Sequence, residues 1–250
     1  MSFVYSICDG SEILNTKLIK LDNGCNLILD STINQTDSMT IEIISGIRKI
    51  IADIQALIPS DSISINLSIS NNVIPLWGVG GQTKSDHSID FFYDPLHPNF
   101  NVEYIYCGLV HELMHVSRLR MPGWELTLLE CMITEGLADH FSNEVLGCCQ
   151  PAWTMALSKE QIKEILVKSE SVLYIRHENW NDEFNENYFN PWMFGTNGED
   201  PIPAWAGYSI GWKLVEDYID SYPDKKVSDL VWLPAKEFED IIDKLKSGNK

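Results

Sequence analysis

The chain has 250 residues, 44% of them apolar, and a net charge of -18 from 18 Lys and Arg against 36 Asp and Glu. The length suffices for a sizeable buried core and the apolar share is that of an ordinary globular protein, so only the charge stands out. A surface this acidic repels nucleic acid and anionic membranes, and neither is an expected partner.

No run of about eighteen apolar residues marks a membrane span. The first ten residues, Met1 to Gly10, lack a basic stretch followed by an apolar one, so no signal peptide is expected. The six cysteines (8, 25, 107, 131, 148 and 149) show no metal-finger spacing and are expected as reduced thiols in a cytoplasmic protein, Cys107 and Cys131 packing as small apolar residues.

Residues 1–35 carry little pattern beyond a short strand at Cys25–Asp30, after the turn Asp22-Asn23-Gly24. Ile44, Ile47, Ile51, Ile54 and Ile58 recur at three-four spacing and predict an amphipathic helix from about Ser38 to Leu57, ended by Pro59. Its stripe suits a core face, with partner binding the alternative. Ser62–Ser70 alternates strictly, Ile63, Ile65, Leu67 and Ile69 on one side, and predicts a half-buried strand. Trp77–Gln82 is a glycine-rich loop without the Lys-Ser/Thr ending of a phosphate loop, and Ser88–Tyr93 is a further strand stopped by Asp94-Pro95.

Two long helices follow, Val102–Leu119 and Leu126–Leu146, the second capped by Gly147. Ser158 and Gln161 form a capping box for a helix to about Ser169. Residues 176–203, rich in aromatics, predict an ordered irregular segment that covers the fold or walls a cleft. A helix spans Ala204 to Tyr218, where Gly207 and Gly211 allow close packing, and a final short helix runs from Pro234 to Lys246.

The chemistry lies on the two long helices. His111-Glu112-Leu113-Met114-His115 matches the H-E-x-x-H pattern of zinc hydrolases. Residues three and four apart share a helical face, so both imidazoles and the carboxylate converge. Zinc needs a further protein ligand and an open position for water. Arg118 and Met121 stand where a third His of the extended pattern would require Gly and His, so that variant is excluded. Glu135, twenty residues after His115, is well placed as the third ligand, and Asp139 one turn later can accept the outward N–H of a ligand His. Glu112 is the candidate base that takes a proton from water. His87 and His97 suit surface or turn positions rather than ligand roles, and His140, off the ligand face, suits a structural role.

These residues, with the Glu135-Gly136-Leu137-Ala138-Asp139-His140-Phe141 context, resemble the gluzincin metallopeptidases, and more narrowly a bacterial family of predicted zinc-dependent proteases of otherwise unknown function. The resemblance extends from about Asn66 to Tyr218. It implies His111, His115 and Glu135 as zinc ligands, Glu112 as general base and Asp139 as support for a ligand His. It also implies an edge strand for peptide binding within Val79–Tyr93 and a downstream donor to the oxyanion, for which Tyr208 fits by position, with Tyr188, Arg176 and His177 as lesser candidates. The expected fold is α+β: a small sheet and long helix in residues 1–100, then a mostly helical part in 101–250, forming one catalytic domain or two lobes around the metal site. The expected function is zinc-dependent hydrolysis of peptide bonds in a peptide or protein substrate. The alternatives are a non-catalytic zinc-binding regulatory or interaction protein, and hydrolysis of another amide or an ester.

Overall fold

The computed structural model of the chain describes residues 16–147, 149–198 and 201–247. The first ten residues, Cys8 and Cys148 lie outside them.

Among the described residues five strands form one mixed sheet: β1 (Lys17–Lys20), β2 (Asn26–Leu29), β3 (Ser64–Ile69), β4 (Val79–Ser85) and β5 (Ser88–Tyr93), in the order β1-β2-β3-β5-β4. The centre is parallel: β2 runs with β3 and β3 with β5, Ile65 opposite Ile89 and Leu67 opposite Phe91. The flanks are antiparallel, β1 on β2 and β4 on β5. A parallel pair needs a crossover, and α1 (Ser38–Ile54) supplies it between β2 and β3. Asp37 caps α1 by accepting from the Thr40 amide at 3.1 Å. Its buried stripe is Ile43, Ile47, Ile50, Ile51 and Ile54, while Ile44 is only half-buried. In β3 the alternation holds for Ile65 and Leu67, but Ile69 at the strand end is exposed. The glycine-rich segment expected as a loop is instead β4, the outer strand beside the metal-motif helix.

The rest is helical. The motif helices are α2 (Val102–Leu119) and α3 (Leu128–Leu146), capped by Asn101 and Thr127. Gly147 ends α3 in the left-handed region at φ 73°. Then come α4 (Lys159–Lys168), with the Ser158–Gln161 capping box formed, and α5 (Glu170–Leu173). The aromatic segment is ordered as α6 (Asp182–Phe184), a π-turn at Asn185–Phe189 and α7 (Asn190–Phe194). Helices α8 (Ala206–Ser221) and α9 (Glu239–Ser247) are the last among the described residues. The result is the expected α+β architecture, a small sheet followed by a mostly helical part.

Every residue of α3 from Leu128 to Asp139 is buried, as in a helix enclosed on all sides. Its closest neighbour is α8. A Cβ on Gly211 would collide with the Met132 carbonyl oxygen, and one on Gly136 with the Gly211 carbonyl group, so the two backbones touch. Gly207, one turn earlier, faces Met193 of α7 instead.

One charged group is sunk in this interior. Arg118, fully buried on α2, donates to Glu130 of α3, to Thr134 Oγ1 at 2.9 Å, and to the carbonyls of Val231 and Leu233 at 3.1 Å. Glu130 Oε2 in turn accepts from the Ala235 amide at 2.8 Å. The network ties both motif helices to the C-terminal segment. Among the described residues no helix is long and apolar enough to cross a membrane.

Candidate metal centre

The helical spacing of α2 stacks His111 and His115, and α3 crosses them with Glu135. His111 Nε2 lies 2.9 Å from His115 Nε2 and 3.2 Å from Glu135 Oε2, and His115 Nε2 lies 3.5 Å from the same oxygen. Three lone-pair atoms cannot crowd so closely without a proton or a cation between them. Four ligands around zinc at about 2.0–2.1 Å sit about 3.3–3.4 Å apart along the edges of a tetrahedron. The three observed separations bracket that value, and the donors are the nitrogen and oxygen types zinc accepts. These residues fit a zinc ion.

Two further groups fix His111. Its Nδ1–H donates to Asp139 Oδ1 at 2.9 Å, which leaves the Nε2 lone pair facing Glu135 and His115. The other oxygen of Asp139 accepts from the indole Nε1–H of Trp153 at 2.9 Å. Asp139 therefore has both oxygens engaged. Trp153 sits in a 3-10 turn, Ala152–Met155, held to α8 by Ser209, whose hydroxyl donates to the Trp153 carbonyl at 2.8 Å. Sequence reasoning reached Asp139 but not Trp153, because a single Trp in a turn carries no periodic signal.

Burial opposes charge on His111, but the carboxylates of Asp139 and Glu135 outweigh it and hold its pKa well above 6.5 in the metal-free chain. Burial likewise opposes ionisation of Glu135, yet His115 and His111 hold its carboxyl well below the usual carboxylate range.

Glu112 is buried on the side of α2 that meets β4. Its Oε2 accepts from the Thr83 hydroxyl at 2.7 Å, which also lies 3.1 Å from the Glu112 carbonyl. Thr83 is the second residue missed in the sequence, although Val79, Gly81 and Thr83 alternate onto one face. The strand loses register between Thr83 and Ser85, an irregularity of the kind that re-aims side chains. A Cβ on Gly81 would lie 2.7 Å from Glu112 Cγ. That glycine is thus required by the approach of α2, beyond any need of a substrate.

The cysteines depart from expectation. Cys107 of α2 is not a packed thiol but is joined to Cys149 by a disulfide that closes a 42-residue separation. The bond draws the segment leading to Trp153 against α2. Cys25 and Cys131 are free and buried.

A cavity of about 480 Å³ opens beside His111 and Glu112, and Tyr208 lines it. The Tyr208 ring packs on Trp153, Phe194 and Trp205. Arg176 and His177 line a different hollow with Trp124 and Glu125. Arg176 pairs with Glu125 at 3.0 Å, and the Tyr188 ring packs tilted on His177 with centroids 4.4 Å apart, so these three lesser candidates stand away from the candidate ligands. His140 takes its structural role, with Nε2 3.0 Å from the Trp212 carbonyl and its ring stacked on that indole.

Known proteins share parts of this chain. The protein named "Uncharacterized protein YjaZ" of Bacillus subtilis (strain 168) is 28% identical over 138 residues, covering 54% of this chain and 49% of that protein. The chain therefore spans about half the length of this relative. A crystal structure of an aminopeptidase N family protein from Idiomarina loihiensis aligns with a TM-score of 0.49 and 14% identity, over 93% of this chain and 42% of that one. A family model described as "Predicted Zn-dependent protease (DUF2268)" matches residues 47–240, a span that holds β3 to β5, both motif helices and the aromatic segment. By that match the chain belongs to the family of predicted Zn-dependent proteases.

Proposed function

We propose that the protein is a zinc-dependent peptidase that cleaves peptide bonds with Glu112 as general base. The observation that carries this reading is the convergence of His111, His115 and Glu135 on one point, beside a cavity that also reaches Glu112. The family's description supports the coarser part, a zinc-dependent protease. A zinc ion held by the three residues would polarise the scissile carbonyl and bring the pKa of a bound water near 7.

The protein's own groups supply the rest. Asp139, itself steadied by Trp153, keeps the His111 lone pair on the metal side. Thr83 aims the Glu112 carboxylate, which takes the proton of the attacking water and passes it to the leaving amine. Among the described residues strand β4 has β5 on one side only, and an extended peptide can add along its outer edge. The Tyr208 hydroxyl is proposed as donor to the oxyanion that develops on the carbonyl. The Cys107–Cys149 bond favours an oxidising compartment over the cytoplasm.

The deciding experiment is Glu112→Gln assayed on a peptide library. Zinc should remain at one equivalent while cleavage falls by about a thousandfold or more, the loss of a general base combined with an unaimed water. A library cleaved equally well by the variant contradicts the mechanism. Stoichiometric zinc with no cleavage by the unaltered protein would instead identify a non-catalytic metal holder.

A further inference from the structure

The cavity beside the metal centre has a chemistry of its own. Its far walls are aromatic and come from four separate places in the chain. Trp77 precedes β4, Trp153 lies in its 3-10 turn, Phe194 ends α7, and Trp205 precedes α8. Their rings form a continuous shell, with centroids 4.8 Å apart for Trp77 and Trp153, 5.9 Å for Trp153 and Trp205, and 5.8 Å for Phe194 and Trp205. Trp77, Phe194 and Trp205 stay half-exposed rather than packing away.

Trp205 adds a second observation. Its backbone is left-handed, φ 65° and ψ 17°, a region that a bulky residue enters at a cost of about 1–3 kcal/mol. An ordinary turn would place Gly or Asn there. Here the strained position carries an indole set against Phe194, Tyr208 and Trp153.

Besides the neutral Asn72, Ser142 and Tyr208, the polar side chains on the lining belong to the candidate metal centre. His111, Glu112 and Asp139 mark the metal side, and among the described residues no Lys or Arg lines the cavity. Asp139 has both oxygens bonded, and Glu112 has one oxygen held by Thr83. An acidic side chain in the aromatic end would find no cation. A basic one would find no spare pair of carboxylate oxygens. Either would be buried unpaired at considerable cost.

We propose that this cavity is the recess for one large apolar side chain, aromatic or long aliphatic, of the residue next to the scissile bond, and that Trp77, Phe194 and Trp205 set the selection. The inference rests on the peptidase reading for its placement and deepens it by naming a substrate class. A volume of about 480 Å³ accommodates such a side chain with adjoining backbone. Because the recess adjoins Glu112, the chain of a peptide laid on β4 can send a side chain into it without leaving the edge strand.

The test uses the zinc-loaded full chain with Glu112→Gln, so that peptides bind without turnover. Alanine-based pentapeptides blocked at both ends carry Phe, Leu, Ala, Lys or Asp at one position, and the indoles of the recess report binding by fluorescence. Burial of the whole side chain predicts that Phe and Leu peptides bind about 10- to 100-fold more tightly than the Ala, Lys and Asp peptides. Phe194→Ala and Trp205→Ala should erase most of that preference, read as the ratio of Phe-peptide to Ala-peptide affinity within each variant. Equal affinity across the set, or preference for Lys or Asp, overturns the recess, and so does a preference untouched by all of Trp77→Ala, Phe194→Ala and Trp205→Ala. Should a wall variant fail to fold, the ranking in the chain with an intact wall decides alone. Cleavage by the unaltered protein without side-chain preference overturns the recess and leaves the peptidase reading standing. Selective binding of Phe and Leu peptides that the unaltered protein never cleaves supports the recess and removes the peptidase reading.

Discussion

Thr83 on the outermost strand donates its hydroxyl to Glu112 Oε2 at 2.7 Å. The bond joins an edge strand of the sheet to the proposed general base. Removing it by Thr83→Val keeps the volume and the β-branch but frees the carboxylate to rotate. Hydrogen bonds to charged groups contribute about 1.5–3 kcal/mol, so kcat should fall about 10- to 100-fold. Zinc content should not change, and Thr83→Ser should restore most of the rate. A Thr83→Val protein with full kcat would show that Glu112 needs no such aim.

Trp153 would act on a bound metal at one remove. Its indole holds Asp139, and Asp139 holds His111. Trp153→Phe leaves the apolar ring but strips the donor from Asp139 Oδ2, and Asp139→Asn weakens the acceptor facing His111. Loss of such outer partners typically weakens metal affinity about 10- to 100-fold. Competition with a chelator of known affinity measures the change, with Asp139→Asn expected to cost more than Trp153→Phe. Metal affinity unchanged from the unaltered chain in both variants would remove the pair from the metal's support.

Arg118 is a test of the scaffold rather than of the chemistry. Breaking a buried ion pair on one side strands its partner at a cost of about 3–5 kcal/mol. Arg118→Met should therefore destabilise the chain by about that amount in urea unfolding, because Glu130 is left buried with only the Ala235 amide. Changing both residues, Arg118→Met with Glu130→Leu, should recover part of the loss.

Much of this arrangement is legible in the residues alone, for a physical reason. A helix fixes side chains three and four apart, so the spacing of His111, Glu112 and His115 by itself sets them on one face, and the same period places Glu135 and Asp139 together. The extents of α2 and β5 match those read from the residues, with β5 stopped by the Asp94-Pro95 turn. What escapes the sequence depends on tertiary approach. Strand β4 reads as a loop because Gly80 and Gly81 have poor strand propensity, yet they are there for Phe92 and Glu112 to come close. Arg118 stands near a helix end, where a charged side chain ordinarily reaches solvent. Its burial depends on Glu130 and Thr134 of the other motif helix and on the carbonyls of Val231 and Leu233, more than a hundred positions away. The Cys107–Cys149 pairing joins residues that no spacing rule connects.

Acidity separates the metal-free from the metal-bound protein. Without metal, the raised His111 pKa contributes stability that is full below about 6.5 and is lost as pH rises through the folded value. The depressed Glu135 pKa contributes stability that is present above about 4.5 and is lost as pH falls through the folded value. The metal-free chain should thus draw most from these two groups between about pH 4.5 and 6.5. Metal ligation requires neutral imidazoles and strengthens as protons leave. The difference in Tm between zinc-loaded and chelator-stripped protein should therefore widen steadily from about pH 5 to about pH 8. A constant difference over that range would contradict the shared use of His111 by proton and metal.

The central claim is that two imidazoles of α2 and one carboxylate of α3 hold a single divalent ion. Elemental analysis of the purified chain beside His115→Ala and Glu135→Ala measures it directly. The account predicts about one zinc per unaltered chain and a loss of at least about tenfold in retained metal for each variant after dialysis against a chelator. Undiminished zinc in both variants, each still folded, would contradict it.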